Sequence, residues 1–322
     1  MSLSLAKYLP VGSTIPFIRW RFIALGVSAL FILVSMFEFI TLGINFGIDF
    51  RGGIQTEVVA GEEVSIEDLR ALANSLELGE ARVQEASSVG IEDGRASYLI
   101  SLPLQEGEGL EGEEAQNQAR ETLNQALQSN FPGIELRGTT VIGGAVSGEL
   151  IIAGFTAIGI ALLLMLIYIW FRFEWQYSVG AIIALTHDVI ATIGMFSLTQ
   201  ITFDLATVAA ILTIVGYSMN DTVVVYDRIR ENLRKYKVKP LDEVLNMSIN
   251  DTLSRTILTS VTTLVALLSL YLIGGEALKG FSFAMIWGVL IGTFSSIFVA
   301  APILLFTKVN RSSEDEVEVI DF

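Results

Sequence analysis

The chain has 322 residues, 52% of them hydrophobic and 17% charged, with a mean hydropathy of +0.59 and a formal net charge of −15. A water-soluble domain carries about a quarter charged residues, so this is membrane composition with its acid concentrated elsewhere. It excludes a nucleic-acid binder, which needs a basic stripe, and a disordered acidic chain, which lacks apolar content. With no cysteine and one histidine, His187, disulfides, thiolate catalysis and a multi-histidine metal centre are excluded too.

A hydrocarbon layer about 30 Å thick takes roughly 20 mainly apolar residues per helix. After a short segment, residues 1–21, the first such stretch is Phe22–Gly43, interrupted by Glu38 near its end. It lacks a small-residue cleavage signature and reads as an uncleaved anchor. Next comes Phe46-Gly47-Ile48-Asp49-Phe50-Arg51-Gly52-Gly53, where the span leaves the membrane. Without Gly-Lys-Ser/Thr it is no phosphate loop. A second glycine pair, Gly143-Gly144, stands where the chain returns. The two pairs read either as tight turns or as the hinge of the intervening domain.

Residues 45–148 are a domain rather than a connection. They hold six Arg, no Lys and 18 Asp+Glu, a net of −12. The pattern predicts strand Ile54–Val59, helix Ser65–Leu76, strands Arg82–Val89 and Ala96–Leu102, helix Glu113–Asn130 and strand Ile134–Val141. Ser65 and Asp68 form a capping-box pattern, and Phe131-Pro132-Gly133 stops the second helix. The βαββαβ order is the ferredoxin-like arrangement. The acidic stretch Glu106–Glu114 reads as an exposed loop.

Residues 149–307 hold five more spans: Leu150–Phe171, Tyr177–Thr199, Phe203–Tyr226, Thr256–Gly275 and Gly280–Thr307. Carboxylates inside spans are costly and point to a proton or ion path, or to a neutral hydrogen-bonded strut. Asp188 and Asp221 are the two candidates; Asp204, at the start of the fourth span, reads as interfacial. Asp221 shares a helical face with Thr213, Tyr217 and Asn220. About 10 Å of helix separates it from Arg228. His187 should point about 100° away from Asp188 and serve in packing. Residues 227–250 read as a basic amphipathic segment at the membrane surface. Arg255 is either an interfacial anchor or the partner of a buried acid, since Ser248, Thr252, Thr256, Thr259 and Thr263 continue its face into the membrane. Ala284, Gly288, Gly292, Ser296 and Ala300 make a small-residue ridge that lets helices approach closely, a packing feature rather than a chemical site. The tail, residues 308–322, is acidic.

Basic residues gather on one side of these six spans: the N-terminal segment, Arg172, seven residues from Arg228 to Arg255, then Lys308 and Arg311. The positive-inside rule therefore puts both termini in the cytoplasm and residues 45–148 outside.

Phe46–Gly53, Thr186-His187-Asp188, Gly216–Asn232 and Arg255-Thr256-Ile257-Leu258-Thr259-Ser260 together resemble the SecF family, protein-export subunits of the SecDF complex within the RND superfamily. The resemblance spans nearly the whole chain. It implies an RND-type half bundle of six helices in the bacterial inner membrane with a periplasmic ferredoxin-like domain. It also implies pairing with SecD beside the SecYEG channel, with YajC and preproteins delivered by SecA as further partners. The proton-motive force would assist late translocation, with protons as the coupling ion, no cofactor, no metal and no catalytic residue. Asp221 and Arg255 map onto the family's proton path. Asp188 maps onto its third-span acid; from their places beside the two acids in the sequence, Asn220, His187 and Tyr217 are further candidates for the path or for polar support. The SecD half is not in this chain. A scaffold for SecD, a small-molecule RND exporter half and an intramembrane aspartyl protease are the competing readings. The last is disfavoured because Asp221 stands in Ser-Met-Asn-Asp.

Overall fold

The computed structural model describes residues 12–61, 63–86, 95–105, 110–307 and 309. Six helices among these are long and apolar enough to cross a membrane. A 3-10 turn, Phe17–Trp20, leads into α1 (Arg21–Leu42). A short helix, α2 (Ile48–Arg51), follows. The extramembrane domain contains β1 (Gly53–Ala60), α3 (Ile66–Ser75), β2 (Arg82–Ala86), β3 (Ala96–Leu102), α4 (Leu110–Asn130) and β4 (Glu135–Ile142). The remaining spans are α5 (Gly144–Arg172), α6 (Trp175–Thr199), α7 (Leu205–Lys235) and α8 (Leu241–Ile273), then α9 (Glu276–Ser295), which runs through a π-turn at Ser296–Ala300 into α10 (Ala301–Thr307).

In the domain, the sheet order is β2-β3-β1-β4 and every pair is antiparallel. This is the ferredoxin-like arrangement, with β1 at the centre because a split βαβ unit inserts β3 beside it. Period-two alternation puts Ile54, Thr56, Val58 and Ala60 of β1 on the buried face. Against them pack Leu69 and Ala73 of α3 and Ala119, Leu123 and Leu127 of α4, at helical spacing. Ser65 caps α3 as expected. Its Oγ accepts from the Asp68 N–H at 3.1 Å, and the Asp68 carboxylate accepts from the Ser65 N–H at 3.2 Å. The Ser65 hydroxyl also donates to that carboxylate, which holds the Asp68 carboxyl below the usual range.

One boundary in the domain differs from the sequence expectation by more than a residue. α4 starts at Leu110, three residues before the predicted helix start at Glu113, so residues 110–114 are helix rather than acidic loop; residues 106–109 of that predicted loop lie outside the described residues. β2 is described over Arg82–Ala86, and its predicted continuation to Val89 lies outside the described residues as well. So do most of residues 1–21 and nearly all of the acidic tail.

In the membrane bundle, α6, α7 and α9 form the buried centre, while α1, α5 and α8 flank them and expose most of their apolar surface. α7 and α8 are longer than a bilayer requires. Their extensions join through residues 236–240 into a helical hairpin at the end opposite the domain. Residues 227–250 are therefore the tip of that hairpin and not a separate surface helix. The buried side of the hairpin is knit by Leu233, Val244 and Leu245 and by Asn232, whose amide donates to Ser248 Oγ at 3.0 Å. Asn246 and Asn250, one turn apart on α8, grip the backbone of Ile15 and Ile18, strapping the N-terminal segment to this hairpin.

The glycines at the domain's two attachments are close-packed. Gly52 and Gly53 have φ of +71° and +126°, values that L side chains rarely adopt. A Cβ on Gly53 would overlap the Leu102 carbonyl oxygen, and one on Gly52 or on Gly144 would press on Leu104. A loose hinge at these three positions does not fit this packing; only Gly143 has open space around it. Gly53→Ala should cost about 1–3 kcal/mol for the dihedral alone, with the carbonyl overlap added, whereas Gly143→Ala should be tolerated. Pulse proteolysis of the extramembrane domain across a urea series measures both in the full chain.

Candidate functional site

The polar centre of the bundle is built around the two span carboxylates. Asp188, on α6, is sealed from solvent. Its Oδ2 accepts hydrogen bonds from Ser218 Oγ of α7 at 2.6 Å and Ser295 Oγ of α9 at 2.8 Å. Its Oδ1 lies 3.0 Å from His187 Nδ1. The expectation that His187 turns away is thus corrected. Both side chains are fully buried, and in an apolar bundle the ring nitrogen has a carboxylate to bond and no water. The ring also stacks near Phe294, centroids 6.3 Å apart.

Asp221 sits three residues beyond Ser218 on the same side of α7. Its Oδ1 accepts from Thr256 Oγ1 of α8 at 2.7 Å, and its Oδ2 accepts at 2.5 Å from Ser296 Oγ, in the π-turn that follows α9. Adjacent serines, the last residue of α9 and the first of the π-turn, therefore serve two acids on two helices. Consecutive helical residues diverge by about 100°, which aims Ser295 at α6 and Ser296 at α7. Ser296 also opens the π-turn, and Pro302, which lacks a backbone N–H, lies just beyond it. Ser296 thus belongs both to the small-residue ridge and to the carboxylate site, and the expectation of a purely packing ridge is corrected there. The rest of the ridge packs on α7: a Cβ on Gly288 would overlap Ile214, and one on Gly292 would reach Ser218 Cβ at 3.0 Å.

Hydroxyls can donate or, by rotating, accept. Each Asp221 oxygen therefore keeps a partner in either protonation state, which a backbone or ammonium donor would not allow. A polar seam runs on from the site between α7, α8 and α9: Ser260 Oγ lies 2.8 Å from Thr293 Oγ1, and Tyr217 Oη donates to Ser260 Oγ at 3.4 Å.

Arg255 lies one residue before Thr256, is exposed, and makes no ion pair with Asp221. Asn220 is exposed as well, and so are Thr213 and Thr259. Together these polar side chains of α7 and α8 mark an outward face within the membrane-spanning part of the bundle, beside the buried acid. Sequence reasoning missed Ser218 and Ser295. Isolated serines in apolar spans give no signal until the neighbouring helices are known.

The chain matches the family model for the C-terminal region of the SecD/SecF protein export membrane proteins over residues 122–310, well over half its length. It also matches the SecD/SecF GG motif model over residues 39–63. It is 43% identical to the protein translocase subunit SecF of Rhodobacter capsulatus, over 96% of this chain and 93% of that one. The chain belongs to the SecF family. A SecF of Cereibacter sphaeroides is 42% identical over 95% of this chain. The crystal structure of SecDF from Thermus thermophilus, described as a translocon-associated membrane protein, superposes with a TM-score of 0.79 at 33% identity. The match covers 91% of this chain but 38% of the SecDF chain. This SecF-family chain is thus a multi-pass membrane protein of the transport machinery. Its GG motif is Gly52-Gly53, and the C-terminal family region includes both span carboxylates.

Because Asp188 is enclosed on all sides, Ser295→Ala should leave its carboxylate short of a donor and cost about 1–3 kcal/mol. Thermal unfolding of the detergent-solubilised protein measures the loss. Thr259→Ala, which removes an exposed hydroxyl bonded only to its own helix, should change the midpoint little.

Proposed function

We propose that this chain pairs with SecD in the bacterial inner membrane and uses the proton-motive force to assist late movement of preproteins through SecYEG. Both termini would be cytoplasmic and residues 45–148 periplasmic. The observation that carries the proposal is Asp221, a membrane-embedded carboxylate held only by hydroxyls and placed beside an exposed polar face. Such groups default to proton or ion pathways. Polar residues on a span surface call for a helix neighbour or a hydrated path rather than lipid. Asn220, Thr213, Arg255 and Thr259 supply that surface, and SecD would cover it.

Protonation of Asp221 would weaken its hydrogen bonds from Thr256 and Ser296 and remove the charge that Arg255 faces, allowing α8 to shift against α7 and α9. One unit charge crossing 100 mV carries about 2.3 kcal/mol, enough to shift the ratio of two bundle states about fiftyfold. The SecYEG channel, YajC and SecA-delivered preproteins are the further partners of this reading. The alternative is a scaffold for SecD, favoured by the complete internal bonding of Asp221.

Asp221→Asn should leave SecD co-purification intact and reduce the proton-gradient-dependent part of preprotein export in membrane vesicles at least tenfold. Full gradient-dependent export in that variant would leave the scaffold role standing. A benzophenone maleimide attached at Asn220→Cys should photo-cross-link to SecD, whereas one at Leu163→Cys, on the apolar outer face of α5, should not; gel-shift analysis of illuminated membranes reads both.

A further inference from the structure

The turn at residues 46–53 does more than connect α1 to the domain. Its two phenylalanines enter an aromatic cluster at the domain end of the bundle. Ring centroids lie 5.9 Å apart for Phe46 and Phe203, 5.9 Å for Phe50 and Phe203, and 5.4 Å for Phe196 and Phe203. Its backbone pairs with the connection before α7: Gly47 N–H donates to Phe203 O at 2.9 Å, and Phe203 N–H donates to Asn45 O at 2.8 Å. The approach is close at Gly47, where a Cβ would stand 3.1 Å from Thr202 Cγ2.

Asp49 adds a directed bond. Its Oδ2 accepts the backbone N–H of Leu205, the first residue of α7, at 2.9 Å. That N–H is one of the four donors a helix cannot satisfy internally. Asp204 satisfies another, accepting from the Thr207 N–H at 2.7 Å. Two carboxylates from separate segments thus share the positive end of one helix. Four residues after Asp49 the chain enters β1, the central strand of the sheet. The α2 turn between them is closed by the Gly52 N–H donating to Ile48 O at 2.8 Å.

We infer that Asp49 is a positioning residue that fastens the N-terminus of α7, the helix carrying Asp221, to the first strand of the extramembrane domain. The 46–53 turn then acts as a stiff joint, and a displacement of α7 reaches the sheet directly. This inference rests on the proton-driven reading above, because it assigns the route by which a change at Asp221 leaves the membrane.

The test uses the complete SecD-containing complex in proteoliposomes, with two substitutions that break the same bond from opposite sides. Asp49→Ala removes the acceptor. Leu205→Pro removes the donor, and proline suits the first helical position, while the extended Asp204 backbone, φ −118° and ψ −177°, suits a residue before proline. Asp49→Asn keeps an acceptor oxygen.

Both disrupting variants should assemble with SecD and export normally without a gradient. Both should lose at least fivefold of the gradient-dependent increment, and amide exchange at residues 206–208 should accelerate at least tenfold. Asp49→Asn should recover at least half of the increment. An unchanged increment in either disrupting variant, with exchange accelerated, overturns the joint. If Asp49→Ala fails to assemble, Leu205→Pro decides alone. Absence of any gradient-dependent increment in the unsubstituted complex would instead overturn the proton-driven reading.

Discussion

A carboxylate surrounded by hydrocarbon needs partners for its oxygens, and in this bundle those partners come from other helices. Asp188 draws hydroxyls from α7 and α9, and Asp221 draws them from α8 and the π-turn that follows α9. An unbonded buried polar group costs more than one hydrophobic contact contributes. The rotation and register of the four helices are therefore specified by these few atoms more narrowly than by apolar packing, which tolerates sliding because lipid tails are as apolar as leucine. The glycines of α9 follow from the same demand. α7 and α9 must lie close enough for a serine hydroxyl to reach an aspartate, and a β-carbon at Gly288 would hold them apart.

The two acids share this framework but differ in exposure. Asp188 is enclosed and paired with a histidine, whereas Asp221 stands next to side chains that face outward. Asp188 thus resembles a strut, and Asp221 adjoins the outward polar face on which the proposed proton path depends. The difference comes from position on the helix rather than residue type: Asn220, one residue earlier, is turned away from the core.

The spans were legible because lipid demands long charge-free runs. The domain was legible because its strands alternate and its α3 cap carries Ser65 and Asp68 in the expected places. The lengths of α7 and α8 were not. Their extensions beyond the membrane bury one side in a hairpin and wet the other, so their composition matches a surface helix equally well. The partners of Asp188 were hidden for another reason. Ser218 and Ser295 lie 30 and 107 residues away in sequence, and only the packing of three helices brings them together. His187 was misread because helical angles give the direction in which a side chain leaves the backbone and not where its ring ends. Arg255 is exposed on α8, and the bond to Asp221 comes from its neighbour, Thr256.

The α7–α9 contact also limits how the bundle can move. Ile214, Ser218 and Asp221 meet Gly288, Gly292 and Ser296 in the same order along two helices running the same way, one tooth to each notch. Sliding α9 by a turn would bring a glycine opposite Asp221 and drive the serine off its acceptor, so a piston stroke between these helices is blocked. The pair behaves as a single keyed shaft. Any working motion is left to the surfaces without such teeth: a tilt of the shaft as a whole, or a roll of α8 across it.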